Sequence, residues 1–483
     1  MNAHFEHVTP ESTGISSHLI SECIRSLDKN LVPMHSLLIM RSGKLITEAY
    51  WKPWNRDRLH RMYSCTKSFV SIAIGCLLSQ GKLALDDPII RYFPEYEAER
   101  CHDKWLENTT IRDMLMMASC HRRTSYKEGS SNWSYIDSFS NHDWVKPFFT
   151  VDADHEPGRV FIYDTSATQV LAALCEKLSG QDLLSYLRSE FFTDPGFFEN
   201  AYMIREPGGH SAGGSGLMCR PIDMLYAIDK VMHFDDSGIL GAYIRDAVSK
   251  RIETSGSRFG LLDTSSGYGY QIWMNSHGYM FYGMGSQLII AIPDKDMAVA
   301  VTADTQGISG AESLIFDAIW RIADSAAPCA LEEDPSSFSE LESTVSSLSM
   351  KAVQGTIASP IASAVSGKEY LFEANTIGIE RLECTFREDY VALDFTISGK
   401  DCSIESGLGC IREADARLPH SVPAVSSAAW KSDGTFSIVT EYIGEECGSL
   451  IIQISFEEDN ATIFMHQNGE LSIMPMSGIA SSR

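Results

Sequence analysis

Several things are scarce or missing in these 483 residues. No run approaches the ~20 apolar residues that a membrane-crossing helix needs. The opening stretch, MNAHFEHVTPESTG, has neither a basic n-region nor an apolar h-region, so no secretory signal is read there and the expected location is cytoplasmic. Basic residues are in deficit: 39 Lys+Arg stand against 64 Asp+Glu, a formal charge of -25. A surface that acidic repels phosphate backbones and anionic lipid, so no nucleic-acid and no membrane partner is expected. The 12 Cys are scattered singly, with no C-x-x-C, and no H-E-x-x-H occurs, so no metal site is expected. In a reducing compartment those thiols read as small buried apolar groups.

What remains is an ordinary globular balance, 44% hydrophobic and 21% charged, in a chain long enough for two or three domains. Residues 15–28 have the spacing of an amphipathic helix. A strand pair follows, His35–Met40 and Lys44–Trp51, turning at Arg41-Ser42-Gly43. A long apolar helix is expected from Ser64 to Ser79, with Gly81 placed to end it. Residues 85–190 read as helices and loops, including 110–119 and 167–177, and residues 220–253 as helix again. The period then changes to strands at Gly267–Asn275, Tyr279–Tyr282, Leu288–Ile292 and Met297–Thr302, followed by a helix over Ala311–Ala323. Strands at both ends of the first ~325 residues bracket a helical middle, which predicts an α+β fold: an antiparallel sheet flanked by helices, with a helical lobe. Residues 333–349, rich in Ser and acidic groups, suggest a linker. After it, short alternating runs (369–373, 381–387, 390–397, 435–442, 450–456, 460–466) predict an all-β, barrel-like C-terminal domain. The expected division is 1–328, a linker over 329–351, and 352–483.

Three elements carry chemistry. Ser64-Cys65-Thr66-Lys67 is an S-x-x-K motif, and positions i and i+3 of a helix share a face, so hydroxyl and amine can meet. The pattern also occurs at Ser26–Lys29 and Ser79–Lys82, but only Ser64 begins a long apolar helix, where free N–H groups favour negative charge. By itself the motif is better read as an N-cap serine and a solvated lysine. The second element, Pro157-Gly158-Arg159-Val160-Phe161-Ile162-Tyr163-Asp164-Thr165, ends in a tyrosine just before a helix; a phenolate there could accept the serine proton, and a buried, hydrogen-bonded Tyr is the plain alternative. The third is Phe281-Tyr282-Gly283-Met284-Gly285-Ser286-Gln287. Glycine inside a strand often marks close approach of a ligand, and a backbone N–H here could join that of Ser64 in holding an oxyanion, or the glycines could mark a bulge. Ahead of it, Ser211-Ala212-Gly213-Gly214-Ser215-Gly216-Leu217 reads as a tight backbone passage.

In this order the three elements resemble the serine β-lactamase and penicillin-binding-protein superfamily, most nearly its class C-related branch of family VIII carboxylesterases, D-Ala-D-Ala carboxypeptidase-like hydrolases and 6-aminohexanoate-dimer hydrolase. The likeness covers roughly residues 8–325, through RMYSCTKSF at 61–69, LDDPIIRYFPEY at 85–96, TIRDMLMMAS at 110–119, PGRVFIYDTSATQVLAALCEKLSG at 157–180 and SAGGSGLMCRPIDM at 211–224. The resemblance implies that Ser64 is the acylated nucleophile, Lys67 the base partner and Tyr163 the proton shuttle. It puts Thr165 where the family usually has Ser or Asn. It makes Met284 the second oxyanion donor if Gly283 is the motif glycine, or Gln287 if the motif is Met284-Gly285-Ser286. The family often carries Lys-Thr-Gly or His-x-Gly on this strand. Here Lys and His are absent, which weakens β-lactamase and D-peptidase readings and favours a neutral ester or amide. The C-terminal strands resemble the lipocalin-like appendage of some members.

The expected function is therefore a serine hydrolase acting on a small acyl compound, with Ser64, Lys67 and Tyr163 catalytic and no cofactor. Thr165, Gly283, Gly285, Trp133 and Tyr282 are expected to bind substrate, with Tyr126, Tyr135 and Trp273 as further candidates for an aromatic wall; core packing is the simpler role for each aromatic. A homo-oligomer through the C-terminal domain is a further expectation. Two rivals stand beside this reading. Gly209-His210-Ser211-Ala212-Gly213 fits the G-x-S-x-G nucleophile elbow but lacks the strand and helix that motif needs. A non-catalytic binding protein could use the same fold, although retention of Ser64, Lys67 and Tyr163 together argues for catalysis.

Overall fold

The computed structural model describes residues 5–121, 143–254, 266–418, 420–457, 459–469 and 478–482. Helix α1 (Ser17–Lys29) is capped by Ser16, whose side chain accepts from the Leu19 N–H, and buries Ile20, Cys23, Ile24 and Leu27. That three-and-four spacing puts one apolar stripe on the core. Strands β1 (Met34–Arg41) and β2 (Lys44–Tyr50) turn at Ser42-Gly43, both with left-handed φ. The short β3 (His60–Arg61) leads through a 3-10 turn, Tyr63–Cys65, into α2 (Thr66–Ser79), buried without interruption from Thr66 to Leu77. A helix buried on every side lies inside the fold, its few polar groups (Thr66, Lys67, Ser68, Ser71) included.

Further along come α3 (Ile111–Leu115), with a capping box between Thr110 and Asp113, and α4 (Thr165–Ser179), capped by Asp164 and ended by Gly180 at φ 73°. Strands β4 (Tyr202–Met203) and β5 (Leu217–Cys219) join β3 in a small sheet ordered β3-β5-β4. Helices α5 (Pro221–Met232) and α6 (Gly238–Ala247) precede β6 (Trp273–Met274), β7 (Tyr279–Gly283), β8 (Gln287–Ile292) and β9 (Met297–Ala303). Helices α7 (Ala311–Ser325) and α8 (Pro335–Ser347) follow.

The main sheet runs β2-β1-β9-β8-β7-β6, every pair antiparallel. Its centre joins the two ends of the region: Leu37 on β1 faces Val301 on β9. Strands β1, β8 and β9 are buried at every position, as strands covered on both faces must be. Helix α5 packs on β1, β8 and β9, while α2 packs on β7, α4 and α6.

Two stretches differ from what their composition suggests. Residues 267–275 are strand only at Trp273–Met274. The chain reverses before it: Gly269 N–H bonds Ile272 O, Gln271 adopts φ 58°, and a side chain on Gly269 would sit 2.0 Å from Ala247 O. Residues 333–349, linker-like in composition, contain α8. Its one buried side chain is Leu341, and it packs along α1 through the Arg25–Glu340 ion pair and a Ser21–Thr344 hydroxyl contact.

The chain divides into two compact units. The first comprises Met1–Tyr50, Trp54–Ala303 and Gly310–Ser347; the second comprises Trp51–Pro53, Asp304–Ser309 and Leu348–Arg483. Among its described residues the second holds ten strands: β10 (Glu369–Leu371), β11 (Ile379–Phe386), β12 (Tyr390–Ile397), β13 (Lys400–Leu408), β14 (Arg412–Arg417), β15 (Ser421–Trp430), β16 (Phe436–Tyr442), β17 (Ser449–Glu457), β18 (Asn460–Asn468) and β19 (Gly478–Ser481). Each pairs with its neighbours in sequence, and a bridge between Phe372 and Ser482 links the two ends, so the sheet curls into a half-barrel. Alternate residues of β12 point inward, onto a core that includes Phe395, Trp430 and Phe436. Strands β13–β15 escape the period-two reading because KDCSIESGL is mostly polar and SVPAVSSAAW holds Pro423 among small residues.

Candidate active site

Met62 N–H donates to Leu217 O, which fixes the chain on β5 before it turns into the 3-10 segment. Tyr63, next to Ser64, has φ 44°, a left-handed conformation costing a non-glycine residue roughly 1–2 kcal/mol. The Arg61 guanidinium lies 4.8 Å from the Tyr63 ring centroid and donates to Ser215 O at 3.0 Å, clamping this turn to the 211–217 loop. Strain held by surrounding contacts is the usual state of a site that must present one side chain. Ser64 is partly exposed between buried Tyr63 and Cys65.

Lys67, one helical turn on, is 1% exposed. Its Nζ donates to Ser64 Oγ at 2.9 Å and to Gly214 O at 2.7 Å, and lies 5.0 Å from the Tyr163 ring centroid. Gly214 must be glycine: a Cβ there would stand 2.3 Å from Thr165 Cγ2 and 3.7 Å from Lys67 Nζ. The glycine-rich loop thus lies against the lysine and against Thr165, the first residue of α4.

Tyr163 is half-buried just before the α4 cap. Asp164 holds the cap, accepting from Ser166 N–H at 3.0 Å and from Ser119 Oγ at 3.1 Å, while Ile162 N–H bonds Met117 O at 2.7 Å. The Tyr163 ring stacks on Trp273, centroids 5.7 Å apart at 19°. Trp273 in turn meets Tyr282 edge to face at 6.4 Å. Trp133, Tyr126 and Tyr135 lie outside the described residues.

The β7–β8 hairpin closes the group. A Cβ on Gly283 would lie 2.3 Å from Met62 O and 3.3 Å from Cys65 N, so the strand runs directly against the Ser64 turn. Cys65 Sγ donates to Gln287 O at 3.2 Å; burial pushes that thiol's pKa up, so it stays protonated. The loop Met284-Gly285-Ser286 is left-handed at Gly285 (φ 76°) and Ser286 (φ 67°). Buried Gln287 holds it, donating from Nε2 to Met284 O at 3.0 Å and Ala303 O at 2.7 Å. Tyr282 sends its hydroxyl to Glu312, on α7, and burial together with that carboxylate raises its pKa.

The structure therefore brings together Ser64, Lys67, Tyr163, Thr165, Gly283, Met284, Gly285, Gln287, Trp273 and Tyr282. Ser211 lies elsewhere: it is fully buried and donates to Glu176 Oε1 at 2.6 Å, so the G-x-S-x-G pattern is a latch onto α4. Gln271 gives no sequence signal. Its backbone N–H bonds Leu115 O, its Nε2 donates to Met114 O at 2.9 Å, its Oε1 accepts from Thr168, and its carbonyl accepts from Ser68. The carbonyl and side chain of this one buried residue thereby tie α2, α3 and α4 together beside the lysine. Glu312 was equally silent in sequence.

Upstream, His35 Nδ1 and His60 Nε2 lie 2.8 Å apart, both buried against Trp54. Burial lowers both imidazole pKa values, that of His60 to about 4. Among the described residues no group of three or more His, Cys, Asp or Glu could hold a metal ion, and no helix is long and apolar enough to cross a membrane.

The sequence model of the Beta-lactamase family matches residues 21–323. Among curated relatives, Esterase EstB of Burkholderia gladioli is 25% identical over 183 residues, 35% of this chain and 45% of that protein. The match thus spans under half the relative's length. Among solved structures, a putative 6-aminohexanoate-dimer hydrolase from Bacillus anthracis superposes with a TM-score of 0.54 at 17% identity, covering 67% of this chain and 87% of that one. A putative beta-lactamase from Bacteroides dorei DSM 17855 gives 0.51 at 16% identity, over 64% and 99%.

Proposed function

The chain belongs to the beta-lactamase family, and from that membership we propose that it is a serine hydrolase cleaving an ester or amide through a covalent acyl-enzyme on Ser64. The observation that carries this reading is the buried Lys67 Nζ, 2.9 Å from Ser64 Oγ, beneath the Tyr163 ring. The same separation serves a neutral amine accepting from the serine O–H.

Ser64 Oγ attacks the substrate carbonyl carbon as its proton passes to the Lys67/Tyr163 pair. The carbonyl electrons move to oxygen, and that oxyanion lies between the N–H of Ser64 and that of Met284 (or Gln287). Preorganised donors of this kind are each worth about 10²–10³ in rate. The tetrahedral adduct collapses, the bond to the leaving group breaks, and Tyr163 returns the proton to it. Water then attacks the acyl-serine, giving its proton to the same pair, and Ser64 is regenerated. Thr165, Gly283, Gly285 and the rings of Tyr282 and Trp273 line the substrate side. The absence of Lys and His from residues 283–287 supports an acyl compound without an obligatory carboxylate. In this reading residues 1–328 carry the chemistry.

The test compares Ser64→Ala with Ser211→Ala. Incubation with a fluorophosphonate should add one adduct mass to the wild type and to Ser211→Ala and none to Ser64→Ala. Hydrolysis of p-nitrophenyl butyrate should vanish in Ser64→Ala alone. Activity surviving that change rejects the assignment.

A further inference from the structure

Where the resemblance leads one to look for a cation, the fold supplies a carboxylate. Glu312, in the first turn of α7, is half-buried and accepts from Tyr282 Oη at 3.0 Å and from Ser286 Oγ at 2.8 Å. Ser286 belongs to the loop beside Met284, and Tyr282 is the outer ring of the series Tyr163, Trp273, Tyr282 that begins over Lys67. Both donors are neutral hydroxyls, and Glu312 is in no ion pair with a described residue. Burial raises its carboxyl pKa, which is the position of an anion that an incoming cation would stabilise. The Tyr282 ring beside this carboxylate is a favourable setting for an organic ammonium group, which an aromatic face attracts by about 0.5–2 kcal/mol.

We infer that Glu312, with the Tyr282 ring, selects substrates carrying an alkylammonium group next to the scissile acyl bond. This specificity rests on the serine-hydrolase reading and deepens it. The ammonium would displace neither hydroxyl, since a carboxylate has about four acceptor positions.

Butyrylcholine and its uncharged isostere 3,3-dimethylbutyl butyrate give the test, because they differ only in nitrogen against carbon. The wild type should favour butyrylcholine at least tenfold in kcat/KM, and Glu312→Gln should lower that ratio at least fivefold, whatever its absolute rates. Glu312→Asp should keep the preference. The overall charge of -25 attracts cations too, but Glu312→Gln alters it by a single unit, so a fall in the ratio reports the site. A measurement on the wild type alone needs no folded variant: n-butylammonium should compete with p-nitrophenyl butyrate while 1-butanol does not. Equal rates for the two esters, an unchanged ratio in Glu312→Gln, or equal inhibition by the two butyl compounds overturns the inference while leaving the Ser64 mechanism intact. Failure of the wild type to hydrolyse either ester, together with no fluorophosphonate adduct, overturns both.

Discussion

Lys67 has no flexibility to spare: it is fully buried, and Gly214 O and Ser64 Oγ take its donors at 2.7 and 2.9 Å. Lys67→Met keeps the volume and deletes the amine. It should lower kcat on p-nitrophenyl butyrate by about 10²–10⁴, the usual range for a general base. Tyr163→Phe keeps the stack on Trp273 and should fall in the same range; a loss under threefold in either variant would remove that residue from the proton path. The His35–His60 pair has a different consequence. Its imidazoles titrate below the free value of 6.5, to about 4 for His60, so the folded state resists the proton that the unfolded chain accepts. The stability they confer is fully present above about pH 6.5 and is lost as pH falls from there toward 4, each pH unit of separation amounting to about 1.4 kcal/mol. Thermal unfolding of the wild type between pH 7 and 4.5 should show this fall, and His60→Gln should make it shallower, His35 keeping its share through burial.

Two elements must meet for Ser64 to face an oxyanion donor, and Gly283 is where they touch. Gly283→Ala puts a methyl 2.3 Å from Met62 O, which is backbone and cannot swing aside. The hairpin or the serine turn must move, so kcat should drop at least about 10²-fold, comparable to losing an oxyanion donor. Circular dichroism should still report a folded chain. Gln271→Leu takes from the buried Thr168 hydroxyl its partner in the core, at about 1–3 kcal/mol for an unsatisfied group, and should lower the melting temperature together with kcat. These two positions also mark how far sequence reasoning reaches. Ser64, Lys67 and Tyr163 stood out as candidates through the order of motifs that resembles the family, and Gly283 because a strand glycine asks for an explanation; the structure places the four together. Gln271 did not stand out, because its partners come from three separate helices and no local pattern encodes such a knot. Glu312 reads as an ordinary acid in a first helical turn until Tyr282 and Ser286 are seen to donate to it. The same limit hid β13–β15, whose small and polar residues carry no alternation, and α8, whose single buried leucine is too little to set a period.

Across the whole molecule, buried titratable pairs in the two units answer acid in opposite directions. In the second unit burial and the neighbouring Asp304 push the Glu441 carboxyl pKa up to about 7, and burial raises that of Asp304 as well. A raised carboxyl gives stability that is complete below the unfolded value near 4.5 and is lost as pH climbs through 7. As pH rises from 4.5 to 6.5 the His35–His60 pair should therefore add stability to the first unit while Glu441 withdraws it from the second. Calorimetry across that window should show the second transition falling as pH rises, and Glu441→Gln should reduce that fall, leaving the smaller share from Asp304.

The partnership of β1 with β9 carries a cost in time. Leu37 cannot reach Val301 until the ribosome has made about 260 more residues, some 13–50 s of synthesis at ~5–20 residues per second. Throughout that delay an apolar hairpin waits with one flank uncovered, a template for pairing with other nascent chains. The ten strands that follow need no such wait, since each finds its mate in the stretch just completed. A polypeptide stopped at residue 290 should accordingly pellet in lysate, whereas one stopped at residue 350 should stay in the supernatant.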